Sequence, residues 1–325
     1  MARILITGGA GFIGSHLAAK VLGAGDSVVV LDNFDPFYDV SIKRRKVEAL
    51  QEEFGDRYAL VDGDIRVAQD CQRALDGVDA VVHLAALAGV RPSLQDPAGY
   101  MDVNVTGTQV LLNAAQEEHQ RGDGIKFVFG SSSSVYGGNE KVPFAESDPV
   151  NGPVSPYAAS KRAGELLCHS FHHLTGIPVT CLRFFTVFGP GQRPDLAIHK
   201  FSRMILDGES LPFYGDGLTS RDYTFVTDIV DGVMRAVERA AGYRIYNLGG
   251  HERTTLSELV AGIEAAFGAK ASLDRQPEQP GDVPRTYADT ALAERELGYQ
   301  RKIGIAEGLR LFAEWFLAER ASGRV

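Results

Sequence analysis

The sequence predicts an α/β protein, a doubly wound parallel sheet with a smaller C-terminal lobe. Three observations carry that expectation. Short β-branched apolar runs alternate with helical patterns through the first 250 residues, a glycine-rich turn from Gly8 to Gly14 follows the first run, and Asp32 closes the second. Runs that are apolar throughout belong to strands buried on both faces, as in a parallel sheet covered by helices. The βαβα rhythm then selects the doubly wound class.

Taken in order, strands are expected at 2–7 (ARILIT), 27–31 (SVVVL), 58–61, 80–84 (AVVHL), 125–129 (IKFVF) and 178–182 (PVTCL). Stretches such as 14–22 and 103–118 are long enough to be crossover helices. Beyond about residue 184 the rhythm weakens. Segments 189–195 and 214–220 are rich in Gly, Pro and Asp, which predicts loops over an active site. Residues 243–248 read as one more core strand, and 255–325 as two amphipathic helices with a Pro/Gly loop at 279–284. The expected division is a dinucleotide-binding (Rossmann) domain at 1–183, with 222–250 returning to it, and a substrate-binding lobe from 184–221 and 251–325.

Composition narrows the function. With 44% hydrophobic and 23% charged residues the chain is ordinary globular protein. Thirty-three Lys+Arg against 42 Asp+Glu leave a net charge of −9, which argues against nucleic acid or an anionic membrane as partner. An anionic ligand must therefore be held by local arginines. Cys71, Cys168 and Cys181 are odd in number and scattered, so neither a disulfide framework nor a zinc site is expected, and a reducing cytoplasm fits. His169, His172 and His173 lack a completing ligand and read as surface or dimer-face residues, so no metal is expected. No apolar run reaches membrane-spanning length, and residues 1–7 pass directly into glycines, so no signal peptide is expected.

Gly9, Gly11 and Gly14 satisfy G-x-G-x-x-G, and Gly8 adds a second reading of the same turn. Glycines let the backbone approach a pyrophosphate whose charge sits at the following helix N-terminus. A carboxylate at Asp32 bonds both ribose hydroxyls and repels a 2′-phosphate, which favours NAD over NADP. Asp64 and Ile65, ending the third strand, are placed to hold and cover adenine.

A second constellation supplies chemistry. Tyr157 and Lys161 follow Ser155-Pro156, an N-cap and first helical residue, and their spacing sets them one turn apart on one face. That arrangement suits a cation lowering a phenol's pKa from about 10 toward neutrality. The phenolate then takes a proton from a sugar hydroxyl as hydride leaves for nicotinamide. The serine run 131–134 lies at the C-terminal end of a parallel strand, where open sheets bind ligands, and a hydroxyl there can share the proton.

TGGAGFIG (7–14), HLAALAGVRPS (83–93), SSSSVYG (131–137), YAASK (157–161) and SRDYTFVTD (220–228) resemble the extended short-chain dehydrogenase/reductase family, and within it the nucleotide-sugar 4-epimerases. The resemblance runs from residue 3 to about residue 315. NFDPFYDVSIKRRK (33–46), RFFTVFGPGQRPDLA (183–197) and QPGDVPRTYADT (279–290) are similar to the UDP-glucuronate 4-epimerase subgroup. The resemblance implies tightly held NAD, a UDP-sugar substrate and a homodimer built on a four-helix bundle. It implies catalytic roles for Ser132, Tyr157 and Lys161. The implied cofactor residues are Gly8, Gly11, Phe12, Ile13, Gly14, Asp32, Asn33, Asp64, Ile65, Leu84, Ala85, Ala86 and Asn104, with Tyr157 and Lys161. The implied substrate contacts are Arg91 and Asp282, with His199 and Lys200 toward the uracil and Arg221 and Arg285 toward the diphosphate.

Departures from neighbouring subgroups indicate the sugar. The family's 4,6-dehydratases place an Asp-Glu pair before VYG, where this chain has Ser133-Ser134, and the decarboxylases' Glu there is also missing. UDP-glucose 4-epimerases carry Asn where this chain has Thr186. Clustered hydroxyls from Ser133, Ser134 and Thr186 suit a sugar carboxylate, with Arg193 as the nearby cation that the family implies. The expectation is an NAD-dependent epimerase of UDP-glucuronate and UDP-galacturonate. Its rivals are a UDP-glucose or UDP-N-acetylglucosamine 4-epimerase and a non-catalytic NAD-sensing protein, which would be expected to lose the Tyr or the Lys.

Overall fold

Strands buried on both faces must pair with one another, and here seven do so in one parallel sheet. The structure, a computed structural model, describes residues 1–122, 124–250, 252–277 and 283–325. Its first half runs β1 (Arg3–Thr7), α1 (Phe12–Gly23), β2 (Ser27–Asp32), α2 (Val40–Phe54), β3 (Tyr58–Asp62), α3 (Ala68–Leu75), β4 (Ala80–His83), α4 (Val90–Gln95), α5 (Pro97–Met101), α6 (Thr108–Arg121), β5 (Lys126–Ser132), α7 (Pro156–Thr175) and β6 (Val179–Phe184). The second half runs β7 (Thr186–Phe188), α8 (Ala197–Asp207), β8 (Ser210–Tyr214), β9 (Ser220–Phe225), α9 (Val226–Glu238), β10 (Tyr243–Leu248), β11 (Arg253–Thr255), α10 (Leu256–Phe267), β12 (Ser272–Gln276), α11 (Ala291–Leu297) and α12 (Ile305–Ala321).

The sheet order is β10-β6-β5-β4-β1-β2-β3, so the winding reverses between β1 and β4. A crevice opens there beyond the strand ends, which is where such sheets take their ligands. Each expected strand is present. β5 and β6 run past their expected ends because Gly130, Ser131 and Ser132 pair with Leu182, Arg183 and Phe184. That extra length carries Ser132 to the crevice.

The helices differ from expectation in two places. The stretch 255–325, expected as two helices, carries three among its described residues, α10, α11 and α12, with the strand β12 after the first. The stretch expected as a single helix at 103–118 opens with a π-helical turn at Asp102–Gly107 before α6. The widened turn buries Asn104, whose carboxamide binds both main-chain groups of Leu87 (2.8 and 2.9 Å) and the Ser160 hydroxyl (2.9 Å). α7 starts as its sequence dictates: the Ser155 side chain accepts the Ala158 N–H, Pro156 opens the helix, and Gly176 ends it at φ 73°.

The later chain builds a three-stranded sheet, β11-β9-β7, and a pair, β12-β8. It returns to the large sheet through α9, which packs on α1, and through β10; residues 222–225 belong to β9 and pair with β7 and β11 instead. Two apolar cores flank the large sheet. The one behind α1 and α9 continues unbroken into the later helices, reaching Leu259, Phe312 and Phe316.

Candidate active site

The first strand delivers the glycine turn to the crevice. Gly8 sits at φ 70°, and a Cβ there would lie 2.8 Å from the Ala85 nitrogen. A Cβ at Gly14 would strike the Gly8 carbonyl oxygen, so helix and turn touch only because both residues lack side chains. Leu84, Ala85 and Ala86 form the facing wall, half-buried, and the Thr7 hydroxyl fixes it by accepting the Ala85 N–H at 3.1 Å. Phe12 and Ile13 open α1 immediately after the turn.

Asp32 stands at the end of β2 and accepts N–H bonds from Ala10 of the turn (3.1 Å) and from Phe34 (2.9 Å). Burial pushes its carboxyl above the usual range, and Lys43 acts against that rise. Asn33 donates to Asp64 at 2.9 Å, and hydrogen bonds from Arg66 hold Asp64 down at about 2. Ile65 is buried against Gly107. An open glycine cradle with a carboxylate at the next strand end fits a dinucleotide whose ribose carries free hydroxyls. Asn104 shapes the Leu87 turn beside this cradle, its carboxamide already spent within the protein.

Ser132, Tyr157 and Lys161 converge at the end of β5. The Ser132 hydroxyl donates to Ser134 Oγ at 3.1 Å and accepts the Ser134 N–H at 3.2 Å. Burial raises the Tyr157 phenol above its ordinary pKa, while the Ser132 hydroxyl and then the Arg193 charge draw it down. Lys161 is 5% exposed, donates to the Gly130 carbonyl at 2.8 Å and lies 5.2 Å from the Phe129 ring centroid. Burial lowers this ammonium to about 8. The helical spacing suggested Lys161 as the cation that tunes the phenol. In the structure the Lys161 ammonium donates to the β5 backbone, and Arg193 is a further cation that draws the Tyr157 phenol down.

Arg193 comes from the 189–195 segment expected as an active-site loop. It grips Asp195 with two bonds (2.9 and 2.8 Å) and its guanidinium lies 5.1 Å from the Phe37 ring centroid. Three tyrosines surround the same charge: Tyr157, Tyr38 and Tyr100. Tyr100 meets the Tyr157 ring edge-on at 6.2 Å. The Tyr38 hydroxyl is buried without a partner, and burial pushes it up to about 12. The loop is pinned from the opposite side, His16 bonding the Pro190 carbonyl (2.8 Å) and Lys46 the Gly191 carbonyl (3.1 Å). Phe37, Tyr38 and Tyr100 were not singled out from the sequence. NFDPFYD carries a signal only through the resemblance, and its reach across the crevice is tertiary. Ser133, Ser134 and Thr186 are half-buried at the ends of β5 and β7; Thr186 follows two residues after Phe184, the β6 partner of Ser132.

The residues expected at uridine diphosphate divide. Arg221 in β9 is half-buried and bonds the Ser220 carbonyl, and Ser220 bridges Arg285, so the fold brings the backbones that carry the two arginines together. Arg285 is exposed and donates to the Glu140 carbonyl at 3.0 Å. Arg91 lies over the Tyr214 ring at 5.0 Å, which links α4 to β8. Lys200 is exposed on α8. His199 is corrected: it is 5% exposed, its ring packed among Phe312, Trp315 and Phe316, because it faces α12. Burial drives it down to about 4, so it is a neutral core residue. Asp282 and most of the 279–284 loop lie outside the described residues. His169 and His172 pack on Tyr243, and among the described residues no group of three or more His, Cys, Asp or Glu is placed to hold a metal. The three cysteines are buried and free.

A Rossmann sheet with this glycine cradle and a Ser–Tyr–Lys set at the C-terminal end of β5 defines an extended short-chain dehydrogenase/reductase. The family described as GDP-mannose 4,6 dehydratase matches residues 5–312, and the chain belongs to it. A Rhizobium meliloti protein named as a probable UDP-glucuronate 4-epimerase is 38% identical, over 97% of this chain and 96% of its own. A UDP-glucuronic acid 4-epimerase from Bacillus cereus, solved with UDP-glucuronic acid and NAD, is 33% identical with a TM-score of 0.90, over 97% of this chain and 99% of its own. A dTDP-glucose 4,6-dehydratase from Streptomyces venezuelae, solved with NAD, is as similar in shape: TM-score 0.90, 34% identity and 98% of both chains. The backbone therefore fixes the family, and side chains must choose the reaction.

Proposed function

We propose that the protein is an NAD-dependent UDP-glucuronate 4-epimerase, interconverting UDP-glucuronate and UDP-galacturonate through a transient 4-keto sugar. The observation that carries this choice is the pair Ser133-Ser134 directly after Ser132, with Thr186 two residues beyond Phe184, the β6 partner of Ser132. It supplies donors to a sugar carboxylate where a dehydratase would carry its acid pair. The full-length likeness to UDP-glucuronate 4-epimerases supports the same reading.

Gly8, Gly11, Phe12, Ile13 and Gly14 would hold the NAD pyrophosphate, Asp32 and Asn33 the adenosine ribose, and Lys161 the nicotinamide ribose. When bound, NAD supplies the hydride acceptor, and later donor, for C4 of the sugar. Tyr157 takes the O4 proton and returns it after the keto sugar has turned. Ser132 shares that proton, so the phenol need not carry the full charge in a buried site. Arg193 favours the phenolate electrostatically. Arg221 and Arg285 bind the diphosphate, leaving the sugar free to rotate about the bonds that join it.

We assign 1–183 with 226–250 to the cofactor and 184–225 with 251–325 to the UDP-sugar, the boundary at 222 moving because 222–225 pair within β9. The chain is taken to act as a homodimer in the cytoplasm. Exposed Leu166 and Leu174 on α7, beside α6, support the helix-bundle contact; a monomer in sedimentation at micromolar concentration would exclude it. No described helix is long and apolar enough to cross a membrane.

Purified protein incubated with UDP-glucuronate should form UDP-galacturonate without added NADPH and with no lasting absorbance change at 340 nm. Strict dependence on added NADP would contradict the Asp32 assignment.

A further inference from the structure

Beneath Ser132 and Tyr157 runs a chain of buried polar side chains that touches neither reacting atom. Glu165 lies one turn beyond Lys161 and two beyond Tyr157 on α7, and is fully buried. Its carboxylate accepts four bonds: Ser131 Oγ at 2.6 Å, Arg183 Nε at 2.8 Å, Arg183 Nη2 at 2.9 Å and Arg162 Nη1 at 2.9 Å. Arg183, 1% exposed in β6, gives its remaining nitrogen to the Tyr136 hydroxyl at 3.0 Å. Tyr136 donates to Asn247 Oδ1 at 2.7 Å, and Asn247 Nδ2 donates to the Phe144 and Asp289 carbonyls at 2.8 and 3.0 Å. Phe144 in turn pairs with Tyr287 and Asp289, in the segment that carries Arg285.

Stability alone gives little reason for such a chain, since a buried ion pair can often be replaced by packed apolar side chains without loss. Its geometry gives one. Glu165 joins the helix bearing Tyr157 to Ser131, the residue before Ser132. Arg183 and Tyr136 join the same carboxylate to the far end of the Ser133–Tyr136 turn. A helix free to shift by a few tenths of an ångström would change the Tyr157–Ser132 contact, and proton transfer is sensitive to that distance.

We propose that Glu165, Arg183, Tyr136 and Asn247 are positioning residues that lock the catalytic helix to the serine turn and to the Arg285 segment, fixing how Tyr157 meets Ser132. This rests on the assignment of Ser132 and Tyr157 as the proton relay.

Tyr136→Phe removes one hydroxyl from the chain and keeps the ring stacked on Phe144, with centroids 4.7 Å apart. Two readouts test it. The first is turnover: kcat should fall at least tenfold, with KM and bound NAD within twofold of wild type. The second needs no substrate: NMR of protein labelled at the tyrosine ring carbons, with Tyr157 assigned through Tyr157→Phe. Ser132 and Arg193 draw this phenol down against burial, with Tyr100 and Lys161 on the neighbouring faces. Loosening Ser132 should therefore move the Tyr157 titration to higher pH. If Tyr136→Phe is insoluble, Ser131→Ala, which removes one bond to Glu165, decides by the same two readouts. An unchanged titration and unchanged kcat with only a lower Tm would overturn the proposal and leave the chain a packing device. Failure of the wild type to use UDP-glucuronate would contradict the function instead, and the titration would still decide the positioning role.

Discussion

A buried phenol resists ionisation, and Tyr157 is a base only to the extent that its neighbours offset the loss of water. The offsets here are the Ser132 hydroxyl and the Arg193 charge. Tyr157→Phe should keep the fold and the bound NAD while losing at least about 10²-fold in rate, the scale of general acid–base catalysis. Near-normal turnover would remove Tyr157 from that role. Thr186 carries a finer claim. An anionic sugar group without donors is costly to bury, so Thr186→Val should weaken UDP-glucuronate turnover by roughly 1–3 kcal/mol, measured as kcat/KM. No change would detach Thr186 from the carboxylate. On the proposed function the same donors would also protect the 4-keto intermediate, a β-keto acid that loses CO2 when its carboxylate bond stands perpendicular to the carbonyl plane. At this scale the sequence was informative wherever spacing is local: Tyr157 to Lys161, or glycine to glycine. It said less where direction is tertiary: the Lys161 ammonium donates to Gly130, and Arg193 acts on Tyr157 from a loop 32 residues further on.

Helices and strands were legible because each apolar run has to be buried on two faces, and their ends were not, because ends answer to partners. β5 lengthens to pair with β6, and the helix after residue 102 widens so that Asn104 can reach Leu87 and Ser160. α8 shows the same limit. Its residues His199 and Lys200 share a motif, yet one faces α12 and the other water. A prediction separates the core reading of His199 from a ligand reading. Its folded pKa of about 4 lies below the ordinary 6.5. The stability it contributes is therefore fully present above about 6.5 and is lost as pH falls from there through about 4. His199→Phe should flatten the fall of Tm between pH 7 and pH 4.5 and leave KM for the UDP-sugar unchanged. A raised KM with an unaltered pH profile would return His199 to the substrate.

Over the whole molecule, one apolar core runs from α1 and α9 into α10 and α12, so the two parts of the chain do not fold around separate centres. The crevice between them joins the glycine cradle, the Ser–Tyr–Lys set and the loop pinned by His16 and Lys46. That backbone is shared, at a TM-score of 0.90, by an epimerase of a uronate sugar and a dehydratase of a neutral one. The reaction is therefore decided by a few side chains at the strand ends, and the central claim is that they are arranged for a carboxylate. Offering UDP-glucuronate, UDP-glucose and UDP-N-acetylglucosamine in parallel, with products identified by NMR, tests it most directly. The account predicts UDP-galacturonate from the first and little product from the others, since hydroxyls gathered for an anion are under-satisfied by a neutral sugar. Turnover of UDP-glucose as fast as UDP-glucuronate would contradict it.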